Sequence, residues 1–113
     1  MIYKIKSRIW IEAENKMFLG EGRIKLLKSI HRTNSISKSA KELGMSYKKA
    51  WNLIDSVNKS NHKPIVIKST GGSKGGGTKL TPYGKKMIDI FDTINMNCWK
   101  YLDKQLKKLH EID

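Results

Sequence analysis

A helix predicted over residues 47–60 presents side chains that suit contact with DNA bases. Its outer face carries Tyr47, Lys48, Trp51, Asn52 and Asp55. A lysine can donate to O6 and N7 of guanine, an asparagine can pair with N6 and N7 of adenine, and aromatic rings can pack on thymine methyl groups. The alternative is that Tyr47 and Trp51, four residues apart, only cover the edge of a core. We expect major-groove contact, with Ser46 capping the helix, contacting a phosphate, or both.

A glycine-dense segment at 71–77, GGSKGGG, separates two short β-rich stretches. A phosphate-binding P-loop requires Gly, four residues, Gly, then Lys and Ser or Thr. Here the second glycine is followed by Thr78 and then Lys79, which is the wrong order for a nucleotide site. We expect a wing tip along a DNA backbone or minor groove, with Lys74 and Lys79 on phosphates. The remaining alternative is a loop without order.

Residues for other chemistry are sparse. The three histidines, His31, His62 and His110, lie far apart in sequence, and no neighbouring cysteine or paired carboxylate gives them metal-ligand spacing. The lone Cys98 cannot form an intrachain disulfide, which favours a reducing, cytoplasmic compartment. No nucleophile lies in a recognisable acid–base setting. We therefore expect no enzyme activity, no cofactor and no metal site.

The charge is concentrated in the first three-quarters of the chain. With 23 Lys and Arg against 10 Asp and Glu in 113 residues, the formal net charge is +13, which points to a polyanionic partner. Residues 1–37 contribute +5, residues 38–86 contribute +9, and residues 87–113 contribute −1. No apolar run approaches the roughly 18 residues that span a membrane, and the charged N-terminus does not resemble a signal peptide. We therefore expect no membrane partner.

The hydrophobic spacing predicts a mainly α chain with a small β component. Alternation over residues 3–11 and a return over 17–19 predict an N-terminal β-hairpin. Helical spacing predicts a first helix from near Glu21 to residues 32–34. It predicts a second helix over 36–43, with Ser35 as its N-cap and Gly44 at its C-terminal end. With the helix at 47–60 this makes a helix-turn-helix. Strands over 65–70 and 78–80 complete a winged helix-turn-helix domain at 1–86.

A long last helix, predicted over about 83–109 within a region spanning 82–113, has a different character. Thr81 and Pro82 are favourable at its N-cap and first position. Its apolar residues repeat at heptad-like spacing, which predicts packing against a second copy of the chain. The alternative is a frayed extension. The predicted dimer interface comprises Phe91, Ile94, Cys98, Tyr101, Leu102, Leu106 and Leu109.

The stretch from Gly22 to Gly84 resembles the DNA-binding domain of the molybdate-responsive ModE regulators, which are relatives of the LysR-type winged helix-turn-helix. The matching residues are Gly20-Glu21-Gly22-Arg23, Asn34-Ser35-Ile36-Ser37, Ala40, Leu43-Gly44-Met45-Ser46-Tyr47, Ala50-Trp51, Asn58, Pro64, Gly71-Gly72, Gly75-Gly76-Gly77, Leu80-Thr81-Pro82 and Gly84.

This resemblance implies a homodimeric transcription regulator whose third helix and wing lie on operator DNA. Members of the family often continue into molybdate-binding domains, and no molybdate site is expected within this chain. Asn34, Lys48 and Lys49 stand where the family pattern leads us to expect Gly and two Arg. Because Lys lacks the bidentate fork of Arg, the preferred bases can differ.

The sequence as a whole favours a cytoplasmic homodimer that binds double-stranded DNA sequence-specifically. The charge also fits a nonspecific architectural protein of DNA or RNA, and a protein-interaction module that uses the winged fold is a third hypothesis. The predicted DNA-contacting residues are Ser35, Ser37, Lys38, Ser46, Tyr47, Lys48, Trp51, Asn52, Lys74 and Lys79.

Overall fold

A computed structural model describes residues 1–60, 62–68 and 77–112 of the chain. Within these residues four helices and four short strands follow one another. They are β1 (Trp10–Ala13), β2 (Lys16–Gly20), α1 (Glu21–Thr33), α2 (Ile36–Glu42), α3 (Tyr47–Lys59), β3 (Val66–Lys68), β4 (Thr78–Leu80) and α4 (Pro82–Glu111). The predicted mainly α fold with a small β component is confirmed.

The helix boundaries follow from local capping. Ser35 Oγ accepts a hydrogen bond from the Lys38 amide at 3.0 Å, and Ser46 Oγ accepts one from the Lys49 amide at 3.0 Å. Each bond satisfies an amide that the first helical turn leaves without a partner. Gly44 adopts φ +67 in the turn between α2 and α3, a left-handed conformation that costs glycine little. The predicted caps and turn of the helix-turn-helix are therefore confirmed.

The hydrophobic core lies where α1, α2 and α3 meet. α1 contributes Leu26, Leu27 and Ile30, each no more than 1% exposed. Ala40 of α2 and Ala50 of α3 are also buried, and their small side chains let the helices approach closely. Burial fixes the inner face of α3 and leaves its outer face to solvent.

The N-terminal strand is shorter than predicted. Pairing with β2 begins only at Trp10, so the predicted strand over residues 3–11 is wrong for residues 3–9. This segment instead contacts the last helix. The Tyr3 amide donates to His110 Nε2 at 3.3 Å, and Ser7 Oγ lies 4.0 Å from Cys98 Sγ. An alternating pattern indicates an extended backbone, and here a helix surface covers that backbone where a partner strand was expected.

The last helix extends beyond the core that anchors it. Its first half buries Gly84, Ile88 and Phe91, and Asp92 forms an ion pair with Lys28 of α1 at 2.8 Å. The radius of gyration is 17.5 Å, against about 13 Å for a compact chain of this length. The second half of α4 therefore projects from the domain. No described helix combines the length and the apolarity that a membrane crossing needs.

Candidate nucleic-acid interface

The outer face of α3 carries the predicted contact residues in exposed positions. Tyr47 is 55% exposed and Trp51 is 39% exposed, and Lys48 and Asn52 are also exposed. More than half of Tyr47 and more than a third of Trp51 are thus accessible to solvent. Ser46 is also exposed, and its hydroxyl oxygen caps α3 by accepting the hydrogen bond from the Lys49 amide.

A cation–π contact joins this face to the wing. Lys68, in β3, places its Nζ 4.1 Å from the centroid of the Trp51 ring, well within the range of such contacts. Lys68 is not among the contact residues predicted from the sequence. Its place in a strand directly after the helix-turn-helix could have indicated a wing residue near α3. The contact with Trp51 could not be predicted from sequence spacing.

The two wing strands pair in an antiparallel register. Val66 lies opposite Leu80, Ile67 opposite Lys79, and Lys68 opposite Thr78. Because neighbours across a ladder share a face, Lys79 lies beside Ile67 on the face opposite to that of Lys68. Lys79 is exposed. Lys74 and the rest of the glycine segment up to residue 76 lie outside the described residues.

Asn58 ties the end of α3 to the start of the wing. Its Oδ1 accepts hydrogen bonds from the amides of Ile65 and Val66 at 2.9 and 3.0 Å, and its Nδ2 donates to the Val66 carbonyl at 2.9 Å. Ile65 and Val66 are buried. One side chain therefore satisfies three backbone groups that would otherwise lack partners in the interior.

The other edge of the wing is held by α1 and α4. The Thr78 amide donates to the carbonyl of Asn34, the left-handed residue that ends α1, at 3.0 Å. Thr81 Oγ1 donates to the carbonyl of Pro64 at 2.8 Å and accepts from the Gly84 amide at 2.9 Å. Together with the bonds of Asn58, these contacts join the wing base to α1, α3 and α4.

The predicted contacts at the start of α2 differ in their availability. Ser37 and Lys38 are exposed. Ser35 is half-buried, its hydroxyl caps α2, and its amide donates to Thr33 Oγ1 at 3.2 Å. Ser35 therefore has a local structural role whether or not it contacts a ligand.

The acidic side chains of this region are neutralised by neighbours. Only Glu42 and Asp55 are acidic between residues 38 and 86. Asp55 forms an ion pair with Lys59 at 2.9 Å. Glu42 accepts hydrogen bonds from Ser29 and Arg32, and these bonds, together with the Arg32 charge, lower the pKa of the Glu42 carboxyl. The α3 face is therefore basic, and its first eight residues include no acidic side chain.

The predicted dimer residues divide into two sets. Phe91 is 3% exposed and belongs to the core of the domain, so its assignment to the dimer interface is wrong. Heptad spacing cannot separate a residue packed on its own domain from one packed on a partner. Ile94, Tyr101 and Leu109 are exposed, and Cys98, Leu102 and Leu106 are half-buried. Three further apolar residues of α4 that the heptad spacing does not select are also exposed: Ile90, Met96 and Trp99.

No metal site is evident in the part of the chain that the structure describes. Among residues 1–60, 62–68 and 77–112, no three His, Cys, Asp or Glu side chains are grouped as metal ligands. The arrangement that does stand out is a basic, partly aromatic helix face beside a two-stranded wing.

Curated regulators align with most of this chain. The chain is 34% identical over 106 residues to the molybdenum transport protein ModE of Azotobacter vinelandii, covering 94% of this chain and 39% of that protein. It is 40% identical over 84 residues to the DNA-binding transcriptional dual regulator ModE of Escherichia coli (strain K12), covering 74% of this chain and 32% of that protein. This chain is a homologue of the ModE regulators.

Two further comparisons bear on the ModE homology. The chain is 40% identical over 92 residues to the molybdenum-pterin-binding protein MopB of Rhodobacter capsulatus, covering 81% of this chain and 34% of that protein. It thus spans between 32% and 39% of the length of these relatives. No family model matches it.

A solved structure shares the fold of this ModE homologue. It is a MepR variant from a multidrug-resistant S. aureus clinical isolate, with a TM-score of 0.62 over 83% of this chain and 71% of that chain. At 15% identity this likeness concerns the fold alone. It supports a winged helix-turn-helix for the ModE-like part of the chain.

Proposed function

We propose that the chain is a sequence-specific regulator of transcription that binds double-stranded DNA as a cytoplasmic homodimer. In this proposal α3 enters the major groove, and the wing segment 71–77 lies on the backbone or in the minor groove. Residues 1–86 form the DNA-binding domain and residues 82–113 the dimerisation helix. The homology to ModE regulators, one of which is named a DNA-binding transcriptional regulator, supports this proposal.

The observation that carries the proposal is the composition of the exposed α3 face beside the wing. A positively charged wing residue, Lys68, packs on Trp51, and Asn52 follows on the same exposed face. An amide offers paired donor and acceptor groups for a base edge, whereas lysines supply charge for the phosphates. A purely electrostatic binder has no need of the amide and the two aromatic rings.

The dimer part of the proposal is supported by the projecting half of α4. Ile94 and Tyr101 are 45% and 62% exposed, and a helix that presents large apolar side chains outside any core generally packs on a partner. A twofold dimer that binds DNA through both α3 helices would place them about 34 Å apart, and hence on palindromic half-sites one helical turn apart.

The relatives' names mention molybdenum, but this chain aligns with little more than a third of each such protein. The described residues of the α3 face and the wing offer an exposed basic surface with two aromatic rings. We therefore propose DNA as the ligand of this surface and propose no molybdate site within the chain.

In-vitro selection from random duplex DNA tests the proposal. We expect enrichment of a palindromic motif with half-sites one turn apart. We also expect binding to weaken by about 10³–10⁵ between 50 and 200 mM salt if 6–10 phosphates are contacted. Selection without an enriched motif, or preference for RNA, would favour the nonspecific architectural alternative. Absence of salt dependence would contradict nucleic-acid binding altogether.

A further inference from the structure

A basic groove runs from the base of the N-terminal hairpin to the outer face of α3. It consists of two adjoining depressions, of about 470 and 460 Å³, which share Arg23, Lys49 and Leu53 in their walls. The first depression reaches Arg8 and Lys25, and the second reaches the α3 face. We call this surface the flank groove.

The charges of the flank groove are strongly unbalanced. Arg8, Arg23, Lys25, Lys48 and Lys49 line it. Among the described residues that line it, Glu21 is the only acidic one. Glu21 pairs with Arg8 at 3.5 Å and with Lys25 at 3.3 Å, so a single carboxylate is shared by two cations.

The three cations nearest to α3 have no such partner. No described carboxylate lies within ion-pair distance of Arg23, Lys48 or Lys49. Arg23 is also partly buried: its Nη1 contacts Met17 Sδ at 2.8 Å, and its Nε is buried without a hydrogen-bond partner. A partly buried guanidinium beside two exposed ammonium groups in a concavity is suited to an extended anion.

We propose that the flank groove binds the phosphate backbone of DNA outside the base pairs that α3 contacts. The inference rests on the proposed function, and it adds Arg23 and Lys49 to the phosphate-binding residues. The flank groove is continuous with the outer face of α3, and this indicates that its partner is the same DNA duplex. The phosphate backbone of a duplex bound by α3 extends beyond the base pairs that α3 contacts. In the proposed complex Glu21 opposes the DNA, because its carboxylate repels the phosphates and occupies Arg8 and Lys25.

Charge-neutralising variants of the whole chain test the groove. Arg23→Gln and Lys49→Gln each remove one cation per protomer, and Lys107→Gln, at an exposed position of α4 away from the side of Ile94 and Tyr101, is the matched control. The measurement is the slope of log Kobs against log salt for a selected duplex and a scrambled one. Because the proposed dimer carries two copies of each residue, each groove variant is expected to make this slope about 1.8 less steep, equally on both duplexes. The loss of affinity between 50 and 200 mM salt should then be about tenfold smaller.

Glu21→Gln is expected to strengthen DNA binding, a result that a misfolded variant would not give. Removing this carboxylate frees Arg8 and Lys25, so we expect tighter binding to both duplexes and a steeper salt slope than the wild type. Thermal unfolding confirms that α1, which loses an acidic residue from its first turn, remains folded. Weaker or unchanged binding by folded Glu21→Gln protein would overturn the proposal.

The outcomes separate the groove from the proposed function. If the wild type binds DNA with its expected salt dependence but Arg23→Gln and Lys49→Gln behave like Lys107→Gln, the groove proposal is wrong and the proposed function stands. If Lys49→Gln instead loses only the preference for the selected sequence, the groove contacts bases and the proposal is again overturned. If the wild type binds no duplex, the proposed function itself fails.

Discussion

Lys68 Nζ lies 4.1 Å from the centroid of the Trp51 ring. The two residues are 17 positions apart and belong to different elements, β3 and α3. A cation–π contact at an exposed site contributes about 0.5–1 kcal/mol, which is small for stability. It does, however, place the Lys68 ammonium of the wing directly over the indole of the α3 face. The wing base and the predicted base-contacting residues therefore form one surface.

We expect the double variant Trp51→Ala, Asn52→Ala to lose sequence preference while retaining nonspecific DNA binding. The lysines that neutralise phosphates remain, whereas the indole and the amide that could contact bases are removed. The measurement is the ratio of Kd values for a selected and a scrambled duplex, which should approach one. Thr93→Ala, at an exposed position on another side of α4, serves as the control and should leave the ratio unchanged. An unaltered ratio in the double variant would show that another face reads the sequence.

We expect Asn58→Ala to destabilise the fold by about 2–3 kcal/mol, because it leaves the buried amides of Ile65 and Val66 without an acceptor. Asn52→Ala, a change of the same type on the exposed face of the same helix, should alter stability by no more than about 0.5 kcal/mol. Denaturant unfolding of both variants makes the comparison. Equal stabilities would mean that the Asn58 bonds contribute nothing to holding the wing.

Gly84 is expected to be intolerant of a side chain. A Cβ built there would clash with the Ile65 carbonyl oxygen and lie 3.0 Å from Leu80 Cδ1. Gly84→Ala must therefore shift α4 or the wing, at a cost of about 1–3 kcal/mol. Gly22→Ala, near the start of α1 with open space around it, should be neutral or stabilising by up to about 1 kcal/mol. Thermal unfolding that ranked the two variants in the opposite order would contradict this packing argument.

The hydrogen bonds from Ser29 and Arg32 should make stability depend on pH through Glu42. They lower the pKa of Glu42 below its ordinary value of 4.5 in the folded state. The stabilisation is therefore present above about pH 4.5 and is lost as the pH falls through the folded pKa. We expect Glu42→Gln to be less stable than the wild type at pH 7, with the difference narrowing below pH 4.5. Glu111→Gln is the control, and a difference that does not change with pH would contradict the assignment.

Patterns that are local in sequence predicted much of the fold. Ser35, Ser46 and Thr81 were recognised as N-caps because a cap depends on the next three residues alone. The helix-turn-helix followed from these caps, from Gly44 and from apolar spacing. The outer face of α3 could be named because burial of Ala50 and Ile54 determines which side of a helix remains exposed.

Contacts between distant segments could not be predicted in the same way. Residues 3–9 have the alternation of a strand, but whether a strand or α4 covers them depends on tertiary packing. Phe91 fits the heptad pattern and is nevertheless a core residue. The Trp51–Lys68 contact and the flank groove likewise join segments whose proximity no spacing rule supplies.

The exposed apolar face of α4 should control the oligomeric state. Ile90, Ile94 and Tyr101 project on one side of the helix and are each at least 45% exposed. Placing a charge among them would require its burial in any dimer that uses this face, a cost of several kcal/mol per ion. We therefore expect Ile94→Lys to dissociate the dimer, measured as mass against concentration by sedimentation equilibrium. Thr93→Lys adds the same charge to another side of α4 and should leave the mass unchanged. Ile94→Lys protein that remains dimeric, or a wild type that is monomeric at every concentration, would exclude this face as the dimer interface.

Because paired half-sites require two copies, the dissociated Ile94→Lys variant should also bind a palindromic duplex no more tightly than one containing a single half-site.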